Sequence, residues 1–583
     1  MKSWATYLNP VFKTAFGISI AGMIGIVLDF GFEQGARDKL LLNFLFYIVI
    51  MAGVVSLAVR YIWKWTAIPV NARIFDITSF ALTIFIVYLH LGHLQMHGID
   101  DSPFLGIKFA VFLTFLREFS EQRVSYKNTL LNPAQLFIAS FLIIIFLGAI
   151  LLILPNATHE GISFLDALFT STSAVCVTGL IVVDTGTYFT LSGQYIIMGL
   201  IQIGGLGILT FASYFSYFFK GGASYENQVV LSDITNSQKI GDVFRTLKYV
   251  LFITFTVESI AALLIYFSLD VACFQGTGDE IYFSVFHAIS AYCNAGFSTL
   301  PNSLYEEGFR YNYFLHLVVI GTFVLGGLGF PIVVNILKFL KYQLLRIFPE
   351  RAGSHNYKPW VLNLNSRITL VTTTLLTLVG FVGFFITEYN HTLVEHNGFG
   401  KVVTALFGAT TPRTAGFNSV DMTGLQFSTL MMIFLLMWIG ASPASTGGGI
   451  KTSTFAIATL NILSLAKGKS RIEVFNREIS DISVRRAFSV ISLSLIAIGT
   501  GILAIAITDP EKDLLGIAFE CFSAYSTVGL SVGITAQLSD AGKLVITLLM
   551  FVGRISMLTL MIAIFNKVKL KNYRYPSEEI LIN

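Results

Sequence analysis

Four short stretches decide how this chain folds: STSAVCVTGL (171–180), SAYCNAGFSTL (290–300), TTPRTAGFNSV (410–420) and SAYSTVGLSVG (523–533). Aligned on one glycine they become VTGL, NAGF, TAGF and TVGL. The glycines are Gly179, Gly296, Gly416 and Gly529, separated by 117, 120 and 113 residues. A period that long is a domain-sized duplication and not a solenoid repeat. A lone glycine after an amphipathic stretch is usually a helix C-cap, but four at matching places between matching apolar spans form a repeat.

The surroundings of these turns are apolar. The chain has 583 residues, of which 54% are hydrophobic and 12% charged, where soluble domains carry about 25% charged residues. Apolar spans read at about 14–31, 40–62, 74–95 and 103–116, then 135–154, 193–218, 247–269, 312–340, 366–386, 425–465, 486–508 and 541–566. Many are long enough to cross a hydrocarbon core of about 30 Å at 1.5 Å per residue. In the second series, a full span is followed by a weaker piece too short to cross, then a glycine turn, then another span. The short piece reads as a re-entrant half-helix. Lys2 and Lys13 precede the first apolar stretch, and Asp29 and Phe30 follow it in place of a small-residue cleavage site. This predicts a retained first helix. Cys176, Cys293, Cys273 and Cys521 lack CxxC spacing, so neither a disulfide framework nor a zinc site is indicated.

Loop charge supplies an independent topology. The stretches 60–73 (Arg60, Lys64, Arg73), 117–127 (Arg117, Arg123, Lys127), 338–367, 467–486 and the tail after 566 are basic. All fall on one side if the N-terminus is cytoplasmic and every short piece enters and leaves from outside. Asp100, Asp101, Asp184, Asp270, Asp279 and Asp509 then lie at the outer face.

Irregular backbone at membrane depth survives only where it is buried in protein or lines a water-filled path. Four such turns therefore predict convergence on one axis. Each half-helix points its C-terminal end, with about half a negative charge, at the membrane centre, which favours a cation. Carbonyl oxygens around each glycine can replace the water shell of an alkali ion. With no carboxylate in the turns, a divalent ion is disfavoured, and the chemistry suggests K⁺ or Na⁺. A secondary transporter with inverted repeats would place its broken helices in opposed pairs, whereas these four run parallel. No P-loop, GxGxxG or hydrolase motif is present, so the reading is a transport protein and not an enzyme.

At these residues the chain resembles the Trk/Ktr/HKT superfamily of potassium transporters, and most of all its bacterial Trk and Ktr pore subunits. The four turns carry the likeness, with QIGGLGILTF (202–211), GGLGFPIVV (326–334), IGASPASTGGGIKTST (439–454) and GRISMLTL (553–560). It covers about 128–570. It implies an all-α membrane protein of four parallel helix–pore-loop–helix repeats around a pseudo-fourfold pore, plus about four extra N-terminal helices. The units would be 1–127, 128–235, 236–350, 351–480 and 481–583. The implied K⁺ selectivity filter is Val177, Thr178 and Gly179; Asn294, Ala295 and Gly296; Thr414, Ala415 and Gly416; Thr527, Val528 and Gly529. In the plant branch a serine replacing the first filter glycine goes with Na⁺ transport, so Gly179 implies K⁺ preference.

The resemblance also implies an intramembrane gate loop at Gly440, Ser442, Pro443, Ser445, Thr446, Gly447, Gly448, Gly449 and Lys451. Proline and three consecutive glycines cannot sustain a regular helix there. Arg554, inside an apolar helix, would stand near that loop as a positive barrier, either alone or paired with Glu520. Glu258 reads as a structural hydrogen-bonding group, and Cys176 and Cys293 as packing behind the filter. His90, His93 and His97 read as interfacial residues ending a helix. No cofactor is implied. The implied partners are a second copy of the chain and a cytoplasmic nucleotide-binding regulatory subunit of RCK type, at the bacterial inner membrane. Two departures stand out: the N-terminal segments exceed what the pore needs, and GRISMLTL replaces the usual GRIGPLTL, leaving the helix shape after Arg554 open.

Overall fold

The computed structural model describes residues 2–64, 68, 70–97, 105–121, 133–207, 243–270, 274, 276–347 and 362–565. Side chains at His93, His97, Asp100, Asp101, Cys273, Arg123 and Lys127 lie outside the described residues, as do 208–211, 348–361 and the residues after 565.

The N-terminal segments fold into four helices, α1 (Lys2–Gly31), α2 (Ala36–Lys64), α3 (Val70–His97) and α4 (Leu105–Glu121). Their shared core is Phe46, Val49, Ile50, Ile107, Ala110 and Val111. Two enclosed ion pairs cross it, Arg60 to Glu118 at 2.9 Å and Arg117 to Asp76 at 2.5 Å. Charges at this depth persist only when paired.

The remaining helices are α5 (Pro133–Leu152), α6 (Phe164–Val175), α7 (Leu191–Leu206), α8 (Val243–Ser268), α9 (Thr277–Cys293), α10 (Tyr313–Leu328), α11 (Phe330–Ile347), α12 (Leu364–Glu388), α13 (Gly398–Thr410), α14 (Phe427–Trp438), α15 (Thr452–Ala466), α16 (Asp481–Thr508), α17 (Leu514–Ser526), α18 (Asp540–Ile555) and α19 (Met557–Ile564). A two-stranded hairpin, β1 (Glu473–Val474) and β2 (Arg477–Glu478), joins α15 to α16. Six described helices are long and apolar enough to span a membrane, and two further pairs qualify together. The chain is an integral membrane protein built of helices.

The short helices α6, α9, α13 and α17 have 12, 17, 13 and 13 residues, or about 18–26 Å at 1.5 Å per residue. Three start on a side-chain cap: Ser163 accepts from Asp166 N, Asn397 from Gly400 N and Asp513 from Gly516 N. Each cap satisfies one of the free N–H groups that a helix start leaves. Each short helix packs on the long helix before it: α6 on α5, α9 on α8, α13 on α12 and α17 on α16. The helix after each turn packs on the short helix of the next unit. Thus α7 meets α9, α10 meets α13, α14 meets α17, and α18 returns to α6. This cycle of contacts is closed.

Two apolar spans are broken, one of them where the sequence left the helix shape open. The 312–340 span bends by 105° between α10 and α11, and the 541–566 span by 88° between α18 and α19. The breaks share one geometry: Gly329 at φ 76° and Ser556 at φ 75°, with Gly207 at φ 78° closing α7. That left-handed region suits glycine and strains a side chain. The departure at GRISMLTL therefore leaves the break in place and puts a serine in a glycine conformation.

Candidate functional site

All four turns carry the same unusual backbone. The residue two before each glycine is left-handed: Val177 at φ 57°, Asn294 at 60°, Thr414 at 73° and Thr527 at 49°. The glycines follow at φ 92°, 69°, 79° and 91°. Non-glycine residues seldom adopt positive φ, so four at one aligned position mark a constraint repeated with the duplication. Three helix ends close alike, with Thr178 N donating to Ser173 O (2.8 Å), Ala295 N to Ser290 O (2.8 Å) and Val528 N to Ser523 O (2.9 Å). The third turn, which contains Pro412, closes one residue tighter, Ala415 N to Thr411 O at 3.0 Å.

The glycines abut one another in cyclic order. A Cβ on Gly179 would land on the Ala295 carbonyl oxygen. On Gly296 it would stand 2.8 Å from Gly416 Cα and 3.0 Å from Ala415 O. On Gly416 it would strike Val528 O, and on Gly529 it would strike Thr178 O. The four turns thus meet in a ring in which each glycine gives room to a neighbour's carbonyl. Thr178, Ala295, Ala415 and Val528 are all at 0% exposure. Among the described residues, no cluster of three or more His, Cys, Asp or Glu could hold a resident metal.

Two sets of supporting residues escaped the sequence reading. A hydroxyl stands six residues before every turn glycine, at Ser173, Ser290, Thr410 and Ser523. Ser173 Oγ accepts from Gly179 N at 3.0 Å and Ser523 Oγ from Gly529 N at 3.1 Å. Ser290 Oγ donates to Phe297 O at 2.7 Å, and in the third turn the adjacent Thr411 donates to Phe417 O at 2.5 Å. The alignment on the glycine carried that signal. The second set is Gly204, Gly326 and Gly553, where a Cβ would collide with the carbonyls of Val175, Tyr292 and Tyr525. Those residues each stand four before a turn glycine, so the helices after the turns need glycine to approach the ring.

The loop at 440–451, expected from the resemblance to act as a gate, lies between α14 and α15, closed on itself by a parallel bridge from Ile439 to Ile450. Ala444 and Gly449 take positive φ (56° and 65°). Ser442 N donates to Gly327 O at 3.0 Å, Ser445 Oγ donates to Ser442 O at 2.6 Å, and a Cβ at Gly329 would crowd Pro443 O at 2.9 Å. The loop touches three of the four turns. Thr446 Oγ1 donates to Asn294 Oδ1 (3.1 Å), Gly448 N to Thr527 Oγ1 (2.8 Å), and a Cβ on Gly447 would strike the Thr414 side chain. Gly440 begins the loop, and its carbonyl faces Arg413 Nη2 at 3.5 Å.

Two further cations hold this loop by its carbonyls. Lys451 Nζ donates to Gly447 O at 2.5 Å and Gly448 O at 3.3 Å. Arg554 Nη1 donates to Thr446 O, and its Nη2 to Gly204 O at 2.6 Å. The alternative pairing of Arg554 with Glu520 is not formed. Glu520 already accepts from Ser531 Oγ (2.6 Å), Thr535 Oγ1 (2.7 Å) and Val532 N (3.3 Å), all on the segment after Gly529. A carboxylate so satisfied gains little from a distant guanidinium that has its own acceptors.

Behind the ring, Gln202 Nε2 donates to both oxygens of Glu258 at 3.0 and 3.1 Å. Cys176, Cys293 and Cys521 are buried free thiols; a Cβ on Gly205 would strike Cys293 Sγ. His90 is buried, 6.2 Å from the Tyr47 ring.

Comparison with known proteins fits this geometry. Residues 103–573 match the family model described as TrkH, cation transport protein. The chain is 37% identical over 451 residues to Ktr system potassium uptake protein B of Bacillus subtilis, covering 77% of this chain and 96% of that protein. It is also 37% identical over 462 residues to the potassium/sodium uptake protein NtpJ of Enterococcus hirae, covering 78% and 97%. The potassium transporter TrkH from Vibrio parahaemolyticus shares the fold, with TM-score 0.57 at 18% identity over 84% of this chain and 97% of that one. With nearly the whole length of these relatives spanned, the chain belongs to the TrkH family of cation transport proteins.

Proposed function

We propose that the chain is the pore-forming subunit of a potassium uptake system, passing K⁺ down its electrochemical gradient. The ion crosses a pseudo-fourfold pore whose filter is the main-chain oxygens of 177–179, 294–296, 414–416 and 527–529. One observation carries this reading: the four glycines abut in cyclic order, each beside a neighbour's carbonyl. Such a ring offers an alkali ion uncharged oxygens in place of its water shell. The membrane potential supplies about 2.3 kcal/mol per charge per 100 mV, enough to drive uptake without ATP. Residues 128–235, 236–350, 351–480 and 481–583 are the four pore units, and 1–127 an added bundle. The loop at 440–451 is the gate, with Arg554 as its positive clamp. Kinship with Ktr system proteins supports a homodimer at the bacterial inner membrane that docks a cytoplasmic nucleotide-binding regulator.

A second reading, permeation or coupling of Na⁺ on the same fold, is favoured by the potassium/sodium uptake protein among the relatives. Uptake of ⁸⁶Rb⁺ into proteoliposomes, with and without Na⁺, separates the two. The K⁺ pore predicts saturable uptake that follows an imposed inside-negative potential and persists without Na⁺. Uptake that requires Na⁺ selects the second reading, and no uptake under either condition refutes both.

A further inference from the structure

Nine residues before the filter glycine, the second and fourth units carry a titratable side chain, His287 in α9 and Glu520 in α17. Both are enclosed, at 1% and 0% exposure. Each reaches the serine two residues beyond its own filter glycine. His287 Nε2 lies 2.9 Å from Ser298 Oγ, while Nδ1 lies 2.9 Å from Phe283 O. A carbonyl can only accept, so Nδ1 bears the hydrogen. Glu520 Oε1 accepts from Ser531 Oγ at 2.6 Å. The two serines then hold the departing chain in the same way. Ser298 Oγ accepts from Leu300 N at 3.0 Å, and Ser531 Oγ accepts from Gly533 N at 2.9 Å. The first and third units have Thr170 and Phe407 at the aligned position, with Ile181 and Asn418 where the serines stand. Thr170 Oγ1 donates within its own helix, to Asp166 O at 2.8 Å. The cyclic order of the ring sets units two and four opposite each other.

We propose that His287 and Glu520 are positioning residues that brace the outer lip of the filter across one diagonal, so that its outermost cation position is two-fold and not fourfold. The inference rests on the K⁺-filter reading above. Discrimination between K⁺ and Na⁺ depends on how well the oxygen cage resists closing on the smaller ion. Each brace ties the chain leaving the filter to the rigid helix entering it. Without the brace the outer oxygens are free to close inward. Phe417, next after the third filter glycine, lies tilted toward His287 with ring centroids 6.3 Å apart, so the second brace also faces its neighbour.

The test uses the full chain in proteoliposomes, reading ⁸⁶Rb⁺ uptake against external K⁺ and Na⁺, with the melting temperature of each variant. Glu520→Ala and His287→Ala should raise half-saturating K⁺ by about tenfold, the equivalent of about 1.4 kcal/mol, and let Na⁺ compete, with the maximal rate of the folded protein kept. Glu520→Gln retains a carbonyl acceptor for Ser531 and should recover most of the affinity. Thr170→Val, at the aligned position in the first unit, should leave uptake unchanged. Should an alanine variant fail to fold, Glu520→Asp keeps the charge but shortens the reach, and the same shift in K⁺ dependence is expected. Folded Glu520→Ala and His287→Ala proteins with wild-type K⁺ and Na⁺ dependence overturn the brace, as does an equal shift in Thr170→Val. A wild-type protein without saturable uptake instead overturns the filter reading itself.

Discussion

Gly179→Ser lets Na⁺ compete with K⁺ for uptake. The backbone at Gly179 sits at φ 92°, a region in which an L-residue is strained by about 1–3 kcal/mol. The new Cβ would also fall on the carbonyl oxygen of Ala295, an atom fixed by the Ala295 N to Ser290 O bond at 2.8 Å and unable to swing aside as a side-chain tip would. The turn must therefore shift or the ring must open, and either change removes the match to one ion size. A loss of K⁺ over Na⁺ discrimination by about tenfold or more is expected, since each 1.4 kcal/mol is one decade. Competition of Na⁺ with ⁸⁶Rb⁺ uptake measures it. Unchanged discrimination in a folded Gly179→Ser protein would refute the filter assignment.

Deleting Gly447 to Gly449 raises the leak through the pore. These residues carry the carbonyls held by Lys451 and the N–H that Gly448 gives to Thr527 Oγ1. Their loss frees the loop from two of its ties at once. Arg554 contributes a second barrier, because its guanidinium grips Thr446 O at the same loop. A unit charge about 4 Å from a passing cation opposes it by about 4 kcal/mol at an effective dielectric of 20. Arg554→Gln should therefore raise the basal rate too. Combined with the deletion it should add less than its separate effect, since both act on one contact network. The check is the uptake rate at saturating K⁺ without a regulator. A pore that stays silent or unchanged would make residues 440–451 a plain kink.

Much of this was legible in the sequence because the duplication repeats each signal four times. A single VTGL means little, but NAGF, TAGF and TVGL at the same place relative to apolar spans fix the half-helices, the turns and their shared direction. The breaks after α10 and α18 were hidden for a physical reason. A run of apolar residues reads the same whether straight or bent, and only Gly329 and Ser556 mark the joints, the latter a residue with no special preference for positive φ. The open choice of partner for Arg554 has a different origin. Its acceptors are backbone carbonyls at Thr446 and Gly204, and a carbonyl leaves no trace in a sequence, whereas Glu520 was a visible counter-charge in an apolar setting. The ties of Thr446 to Asn294 and Gly448 to Thr527 join segments 152 and 79 residues apart, beyond any spacing rule.

The most direct test of the carbonyl ring is anomalous diffraction from crystals of this protein grown in Rb⁺ or Tl⁺. The expected result is anomalous density on the axis between Thr178, Ala295, Ala415 and Val528, weakened or displaced in Gly179→Ser crystals. Strong anomalous density elsewhere in the membrane region, with none inside the ring, would contradict it.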